Sequence, residues 1–384
     1  MVVFLASVLK PVDDPRMRGK FAETLTERPL VHVHIAGQVS ANSDTATAPL
    51  QPQIHQHAIF QGARLSWGRL AAQGHYWQLL QQLRPALVVV HAPELLPLTL
   101  LWQALGHRRR FLYDIRENYA LNVRTQQVYQ GLTRRALAAG LRWIEARAAR
   151  RSVGVILAEA SYADELPFLP AAAGRVVVLE NKYQPAGTET IRAAPRQLPP
   201  AGQPIRLLYS GTISVLNGVW EAISLTEILH HAWPGGARLT IMGFCQQPEL
   251  LQQLRTEVAR HPDWLTLAGG QELVPHAQIV AEITRSHLGL LPYQPHPSTE
   301  RCRPTKLFEY LAHGLPIIAS PNPLWAELLH RYGAGLTFDF AAPTDGTALV
   351  AQLQRRTFYP AGIPAEALWA SEGKKLWHLL DTVI

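Results

Sequence analysis

The chain has 384 residues, a formal net charge of +7, and 47% hydrophobic against 17% charged residues. These values exclude a disordered chain and predict two or three domains, each able to bury its own core. Its two cysteines, Cys245 and Cys302, exclude a disulfide framework. The first residues are typical of a strand rather than a signal peptide, and no run of ~20 apolar residues is present, so we expect a cytoplasmic protein.

The excess of cationic side chains favours anionic ligands or anionic lipid as partners. The sequence has no zinc-ligand spacing, no helix-turn-helix pattern and no aromatic RNA-binding signature. We therefore expect no nucleic-acid partner.

The first half of the chain alternates strand signals with helix signals. Buried strands are predicted at residues 2–9, 30–36, 86–91, 111–115, 153–158 and 175–179. Helices are predicted between them, notably at residues 67–83, 95–105 and 128–149. Such alternation predicts an α/β domain, a parallel sheet with helices on both faces, over residues 1–183.

A stretch rich in proline and glycine, residues 184–204, follows this domain and predicts an interdomain linker. A second α/β domain is predicted over residues 205–345. Its strands are predicted at 205–209, 238–242, 265–267, 288–291 and 316–320, and its helices at 247–259, 275–285 and 304–312, with one more starting at 217. Residues 346–384 are predicted to form a helical tail.

Residues 301–320, RCRPTKLFEYLAHGLPIIAS, form the most informative stretch. They predict a basic loop, a short helix that begins at Pro304 and ends at Gly314, and a buried strand. Lys306 and Glu309 share one face of that helix near its N-terminus, where free amides attract anions. One interpretation is that the pair binds a phosphate and sugar hydroxyls. The other is a surface ion pair with no role in binding.

A series of short motifs surrounds this stretch in a fixed order. They are LLYSGT at 207–212, NG at 217–218, LTIMG at 239–243, LTLAG at 265–269, LGLLPY at 288–293 and PTKLFEYLAHGLP at 304–316. In order and spacing they resemble the C-terminal half of glycosyltransferase family 4, which contains retaining enzymes of the GT-B type. VVVHAPE at 88–94 and YDIRENY at 113–119 resemble the N-terminal half of the same family.

The resemblance implies two doubly wound Rossmann-like domains that face each other across a cleft, with the C-terminal tail crossing back to the first domain. It implies transfer of a sugar from a nucleoside-diphosphate sugar to a hydroxyl of a glycan or lipid-linked glycan, as in polysaccharide biosynthesis. It implies no metal ion and no other cofactor. Two alternatives use the same fold, a sugar-nucleotide epimerase and a non-catalytic subunit that binds a sugar nucleotide.

The resemblance also assigns residues to the donor. Lys306 and Glu309 are expected to be catalytic, with Lys306 on the diphosphate and Glu309 on the ribose. Thr212 and Asn217 stand where the family usually carries cations, and Arg301 stands where it carries a first glutamate. The full set of expected donor-binding residues is Gly211, Thr212, Gly243, Gly269, Arg301, Arg303, Thr305, Lys306 and Glu309. From the residues alone, Gly211 fits equally well as a plain strand-to-helix turn.

A second group of polar residues follows two predicted strands of the first domain. His91 and Glu94 follow one strand, and Asp114, Glu117 and Asn118 follow the next. Because ligands bind at the carboxyl ends of parallel strands, we expect these residues on the acceptor side of the cleft. Asp114 is expected to orient or deprotonate an acceptor hydroxyl. The alternatives are a core histidine for His91 and a helix N-terminal acid for Glu117.

The predicted helix before residue 151 is rich in arginine. It contains Arg134, Arg135, Arg142, Arg147, Arg150 and Arg151, beside apolar residues at helical spacing. This pattern predicts peripheral contact with an anionic membrane, at the inner face of the cell membrane. The alternative is a helix that covers the sheet and exposes a solvated basic face.

Overall fold

The computed structural model describes the chain except for residues 41–50, 64–65, 126–130, 188, 190, 192–193, 196, 201, 298, 343–344 and 384. The chain divides into two compact units, Met1–Thr188 with Trp369–Ile384, and Glu189–Leu368. Each unit contains one sheet of parallel strands together with helices. The predicted α/β class, with two Rossmann-like units, is confirmed.

The first unit contains a seven-stranded sheet in the order β3-β2-β1-β4-β5-β6-β7, with parallel pairs throughout. The strands are β1 (Val2–Pro11), β2 (His32–Gln38), β3 (Ile54–Phe60), β4 (Leu87–Val90), β5 (Phe111–Ile115), β6 (Gly154–Leu157) and β7 (Val176–Val178). The helices are α1 (Glu23–Leu25), α2 (Gly68–Leu83), α3 (Leu96–Ala104), α4 (Tyr119–Thr125), α5 (Gly131–Arg151) and α6 (Tyr162–Glu165), with a π-helical segment at Pro15–Ala22 and 3₁₀ turns at Pro93–Leu95 and Leu169–Ala172.

The second unit contains a six-stranded parallel sheet in the order β10-β9-β8-β11-β12-β13. The strands are β8 (Ile205–Ile213), β9 (Ala237–Cys245), β10 (Leu265–Gly270), β11 (Leu288–Leu291), β12 (Ile317–Ala319) and β13 (Gly335–Thr337). The helices are α7 (Val219–Ala232), α8 (Pro248–Arg260), α9 (His276–Arg285), α10 (Thr305–Ala312), α11 (Pro323–Tyr332) and α12 (Gly346–Gln354), with a 3₁₀ turn at Ala365–Ala367.

Hydrophobic residues of the first sheet alternate between two cores. Phe4, Val88 and Tyr113 pack with α2, α3 and α5 on one face. Leu5 and Val89 pack on the other face with the π-helical segment and with the C-terminal helix α13 (Ala370–Val383). Burial on both faces explains why the parallel strands are continuously apolar.

The chain returns to the first unit at Trp369. The indole Nε1 of Trp369 donates a 2.9 Å hydrogen bond to Oγ1 of Thr24. Glu372, which is fully buried, pairs with Lys182 at 2.6 Å. Residues 346–368 belong to the second unit. The returning segment is therefore shorter than the predicted tail of residues 346–384.

Both sheets reverse their strand order at one internal position. β1 lies between β2 and β4, and β8 lies between β9 and β11. At such a position the connections leave the two neighbouring strands in opposite directions, which opens a crevice at the carboxyl ends of the strands. The β1–β4 and β8–β11 junctions are therefore the places where each unit is expected to bind a ligand.

Candidate functional site

Lys306 lies at the reversal point of the second sheet. It is the second residue of α10, and its side chain packs between Tyr209 of β8 and Tyr293, which follows β11. The ammonium Nζ lies 4.9 Å from the ring centroid of Tyr209 and 5.2 Å from that of Tyr293. Lys306 is only 8% exposed. Its charge is therefore held inside an aromatic pocket rather than in solvent.

The ammonium of Lys306 has no hydrogen-bond partner among the described residues. Burial lowers its pKa to about 8, because water no longer stabilises the charged form. An unpaired buried cation is costly, and an anionic ligand would provide the hydrogen-bond acceptor that the described residues do not. The alternative interpretation, a surface ion pair between Lys306 and Glu309, does not hold among the described residues.

Glu309 pairs with a different residue. Its Oε1 lies 3.1 Å from Nε2 of His276, the first residue of α9. Because a carboxylate only accepts, Nε2–H of His276 is the donor. The Glu309 side chain is 14% exposed, so it is held at the surface of the unit by a neighbour and remains accessible. This is a suitable state for a carboxylate that accepts hydrogen bonds from ribose hydroxyls.

Three expected donor-binding glycines lie side by side across β8, β9 and β10. Gly211 is in register with Gly243, and Gly243 with Gly269. A Cβ on Gly243 would lie 1.7 Å from the carbonyl oxygen of Gly211, and one on Gly269 would lie 2.5 Å from that of Gly243. These positions therefore exclude side chains for steric reasons, and the same exclusion leaves the peptide groups bare for a ligand.

The other expected donor residues have varied surroundings. The carbonyl of Thr212 accepts hydrogen bonds from Tyr209 Oη and Asn217 Nδ2, each at 3.0 Å. Helix α7 begins at Val219 with Gly218 as its N-cap, two residues after the predicted start at Asn217. Nη2 of Arg303 lies 3.7 Å from Glu327. Arg301 and Thr305 are exposed.

Asp114 is the centre of a buried ionic network in the first unit. Nε and Nη2 of Arg16 donate to its two oxygens at 2.9 and 2.7 Å, and Nδ1–H of His91 donates to Oδ2 at 2.7 Å. Burial alone would raise the pKa of Asp114, but the Arg16 guanidinium brings it below its ordinary value. A fully buried carboxylate with both oxygens occupied is a poor base and a good positioner of His91.

His91 lines a cavity at the reversal point of the first sheet. Burial lowers its pKa, against the opposing effect of the hydrogen bond to Asp114, so the imidazole is neutral near pH 7. Glu94 and Glu117 line the same cavity. Asn118 does not. Its amide donates to Glu165 and accepts from Arg142 and from the backbone of α4, which makes it part of the scaffold.

Several residues of these two sites were not predicted from the sequence. Arg16 follows a proline in a loop-like stretch, Tyr209 lies within the apolar strand β8, and Tyr293 follows the apolar strand β11. None of the three carries a local pattern that separates it from an ordinary loop or core residue. His276 is the exception, because a histidine at a helix N-terminus is an unusual choice.

The described part of the chain contains no candidate metal site and no candidate membrane-spanning helix. Nowhere in it do three histidine, cysteine or acidic side chains form a group that could hold a metal ion. Among the helices described, none has the length and apolar character needed to cross a bilayer.

No family model and no curated protein matches this chain. Solved structures do match it. Sucrose-phosphate synthase from Thermosynechococcus elongatus is 15% identical with a TM-score of 0.65, over 100% of this chain and 99% of that chain. The catalytic domain of starch synthase IV from Arabidopsis thaliana, bound to ADP and acarbose, is 13% identical with a TM-score of 0.63, over 100% and 99%.

Anabaena HepE, solved in complex with UDP and glucose, is 14% identical with a TM-score of 0.60, over 99% of both chains. These structural neighbours are GT-B glycosyltransferases. At such identities the likeness shows the fold, and the chain accordingly has the GT-B fold.

Proposed function

We propose that this protein is a glycosyltransferase that moves a sugar from a nucleoside-diphosphate sugar to a hydroxyl of a glycan or lipid-linked glycan. One observation carries the proposal. The buried ammonium of Lys306, with no partner among the described residues, sits at the reversal point of a parallel sheet. A diphosphate at this place would supply the missing acceptors, and solved neighbours such as HepE bind UDP.

In this proposal the second unit activates the leaving group. Lys306 and the free amides of the first turn of α10 stabilise the negative charge that grows on the departing diphosphate. Glu309, held by His276, accepts hydrogen bonds from the ribose and fixes the nucleotide. The bare backbone beside Gly211 lets the diphosphate approach closely. Catalysis then rests on positioning and charge stabilisation, without a metal ion.

For the stereochemistry we propose retention of the anomeric configuration, as the resemblance implies. The departing phosphate then accepts the proton of the acceptor hydroxyl, and no protein base is needed. Asp114 is consequently assigned a positioning role, because both its oxygens are already occupied by Arg16 and His91. NMR of the product's anomeric centre tests this part, and a product of inverted configuration would refute it.

Calorimetry of nucleoside-diphosphate binding tests the proposal itself. UDP, ADP and GDP are titrated into the wild type, Lys306→Met and Lys374→Met. Lys374 is an exposed lysine on α13 of the first unit, and it provides a matched loss of charge at a residue that is not assigned to the donor. We expect one diphosphate to bind, with affinity roughly 10- to 100-fold lower in Lys306→Met and unchanged in Lys374→Met. Equal affinity in all three proteins would remove the basis of the proposal.

We also propose peripheral contact with an anionic membrane through the solvent face of α5. Trp143 on this face is 65% exposed, and Arg147 and Arg150 follow it at spacings of four and seven residues. Ala138, Glu145 and Ala148 point into the unit instead. A tryptophan flanked by arginines is the composition found at membrane interfaces.

A further inference from the structure

A cavity of about 230 Å³ lies within the second unit, at the carboxyl ends of β11, β12 and β13. Its walls come from the loops that follow these three strands, from the first turn of α7, and from Thr299 and Glu300. Among the described residues that line it, none is assigned to the donor. The cavity is therefore separate from the residues that carry the proposed transfer.

Aromatic rings and prolines form most of the wall. Tyr293 and Phe340 are partly exposed, and Trp325 backs Tyr293 in an edge-to-face contact with 5.2 Å between the ring centroids. The prolines are Pro292, Pro295, Pro321 and Pro323. The negative faces of aromatic rings attract a cation, and apolar walls exclude the water that would compete for it.

The charged residues of the wall are all acidic. They are Glu221, Glu300 and Asp339, and the described residues of the wall include no lysine, arginine or histidine. Composition does not explain this, because the chain as a whole carries a net charge of +7. Glu300 and Asp339 are exposed, so a ligand in the cavity can contact them directly.

Glu221 adds a negative charge in the first turn of α7. Its Oε1 accepts a 2.7 Å hydrogen bond from Nε2 of Gln294, a neutral donor, and its buried Oε2 has no hydrogen-bond partner among the described residues. A ligand need not touch Oε2, because Coulomb attraction is long-ranged where little water screens it. This carboxylate therefore favours a cation in the cavity.

The amide, indole and aliphatic hydroxyl donors of the wall already have acceptors within the protein. They belong to Gln294, Thr299, Ser320, Asn322 and Trp325, and each donates to another protein atom at 2.7–3.2 Å. An anion or a neutral sugar would need such donors for its own oxygen atoms, whereas an organic cation needs none.

We propose that this cavity binds an organic ammonium group, held by the rings of Tyr293 and Phe340 and by the three carboxylates of the wall. The ligand class is a compact alkylammonium, from a primary amine to a quaternary one, since aromatic cages are a recurring way to bind such groups. The site does not depend on the proposed glycosyl transfer, because it shares no residue with the expected donor set.

The ammonium of Lys306 is a like charge close to this cavity. Its Nζ lies 5.2 Å from the ring centroid of Tyr293, although Lys306 is not one of the lining residues. Its charge opposes a second cation beside the same ring. Lys306→Met should therefore bind the organic cation at least as tightly as the wild type does.

Ligand-observed NMR with saturation transfer tests the site. The probes are choline, ethanolamine and 3,3-dimethylbutan-1-ol, which is the neutral carbon isostere of choline. We expect choline, ethanolamine or both to bind the wild type, and the isostere to bind about tenfold more weakly than choline, because it keeps the shape and loses the charge. Binding of choline alone would identify a quaternary ligand, and binding of ethanolamine alone a primary amine.

Two variants locate the binding in this cavity. Glu221→Gln is nearly isosteric and should lower the cation affinity roughly fivefold, because it removes a charge from a poorly solvated wall. Phe340→Leu should lower it by a similar factor, because it removes one of the rings. Glu249→Gln is the matched control, since Glu249 is an acid in the first turn of α8 in the same unit and is not a lining residue.

The cation site is refuted if neither ammonium compound gives saturation transfer, or if the neutral isostere binds as tightly as choline. It is also refuted if either Glu221→Gln or Phe340→Leu binds the cations as tightly as Glu249→Gln does. Failure of the proposed function gives a different result, because diphosphate binding would then be insensitive to Lys306→Met while choline binding still depended on Glu221.

Discussion

A Cβ atom on Gly211 would lie 3.2 Å from Cε and 3.4 Å from Nζ of Lys306. Gly211 also has a φ of +93°, which disfavours any other residue. The lysine side chain therefore fills the space that a side chain on β8 would occupy. Its ammonium is held in place by the packing of glycine and tyrosine around it, without an ion pair.

This arrangement predicts that Lys306 costs stability. Its pKa falls from 10.5 in the unfolded chain to about 8, so the folded state disfavours the charged form. The cost is complete below about pH 8 and disappears above about pH 10.5. Lys306→Met should raise the free energy of unfolding by roughly 2–4 kcal/mol at pH 7, and by much less at pH 10. Urea denaturation at both pH values measures this. A less stable variant at pH 7 would contradict the assignment.

Glu309→Gln is expected to weaken nucleoside-diphosphate binding about fivefold, because a charge-assisted hydrogen bond to the ribose becomes a neutral one. The change is nearly isosteric, so the unfolding midpoint should hardly move. The 2′-deoxy and 3′-deoxy nucleotides make the measurement specific. In calorimetry, the wild type should discriminate against one of them and Glu309→Gln should discriminate less. If the discrimination is the same in both proteins, Glu309 does not contact the ribose.

Much of the fold could be predicted from local pattern. Short apolar runs such as β5 and β11 have the predicted bounds because burial on both faces leaves little choice of residue. β3 was not predicted. Three of its seven residues are His55, Gln56 and His57, which suit a strand at the edge of a sheet but resemble a loop. β13 was not predicted because its three residues, Gly335–Thr337, do not form an apolar run as those of β7 and β12 do.

The site was harder to predict because its contacts join distant parts of the chain. Sequence spacing places Lys306 and Glu309 on one helix face. It cannot show that Tyr209 and Tyr293 surround the lysine, or that His276 forms a hydrogen bond with the glutamate. The sequence predicts that Asp114 orients or deprotonates an acceptor hydroxyl, whereas Arg16 and His91 together occupy both of its oxygens. Periodicity reports which face of an element is buried and says nothing about which partner it meets there.

Glu145 should make the first unit sensitive to pH. It lies fully buried on α5, where the hydroxyl of Tyr113 donates to Oε1 at 2.9 Å. Burial raises its pKa from 4.5 to about 7, so the folded state favours the protonated form and loses stability as pH rises between these values. Glu145→Gln should therefore be more stable than the wild type at pH 8 by roughly 2–3 kcal/mol.

Below pH 4.5 the two proteins should unfold at the same denaturant concentration, since the wild-type carboxyl is then protonated in both states. Chemical denaturation at about pH 3.5 and at pH 8 gives the comparison. If Glu145→Gln differs from the wild type in stability by the same amount at both pH values, the substitution acts through packing and not through ionisation.

The histidines of β2 and β3 predict the opposite pH dependence. The ring of His34 stacks on that of His55. The Nδ1 atom of His34 lies 2.9 Å from Nε2 of His57. Burial, together with the neighbouring histidines, lowers the pKa of His34 to about 4. Above about pH 6.5 His34 is neutral in both the folded and the unfolded state. As the pH falls towards 4 only the unfolded state takes up the proton, so the folded state loses stability. In His34→Asn the melting temperature should fall less than in the wild type when the pH is lowered from 7 to 4. An unchanged pH profile would exclude His34 as its source.

The exposed face of α5 predicts binding to anionic vesicles. Co-sedimentation is measured with phosphatidylglycerol-containing and pure phosphatidylcholine vesicles, at low and high salt. Binding should require the anionic lipid and weaken with salt, because arginine–phosphate attraction is screened. Trp143→Ser should reduce binding several-fold by removing the interfacial anchor. Trp67→Ser is the control, because Trp67 is 86% exposed but lies outside α5. Equal binding by the two variants would mean that α5 is a solvated cover of the sheet and not a membrane contact.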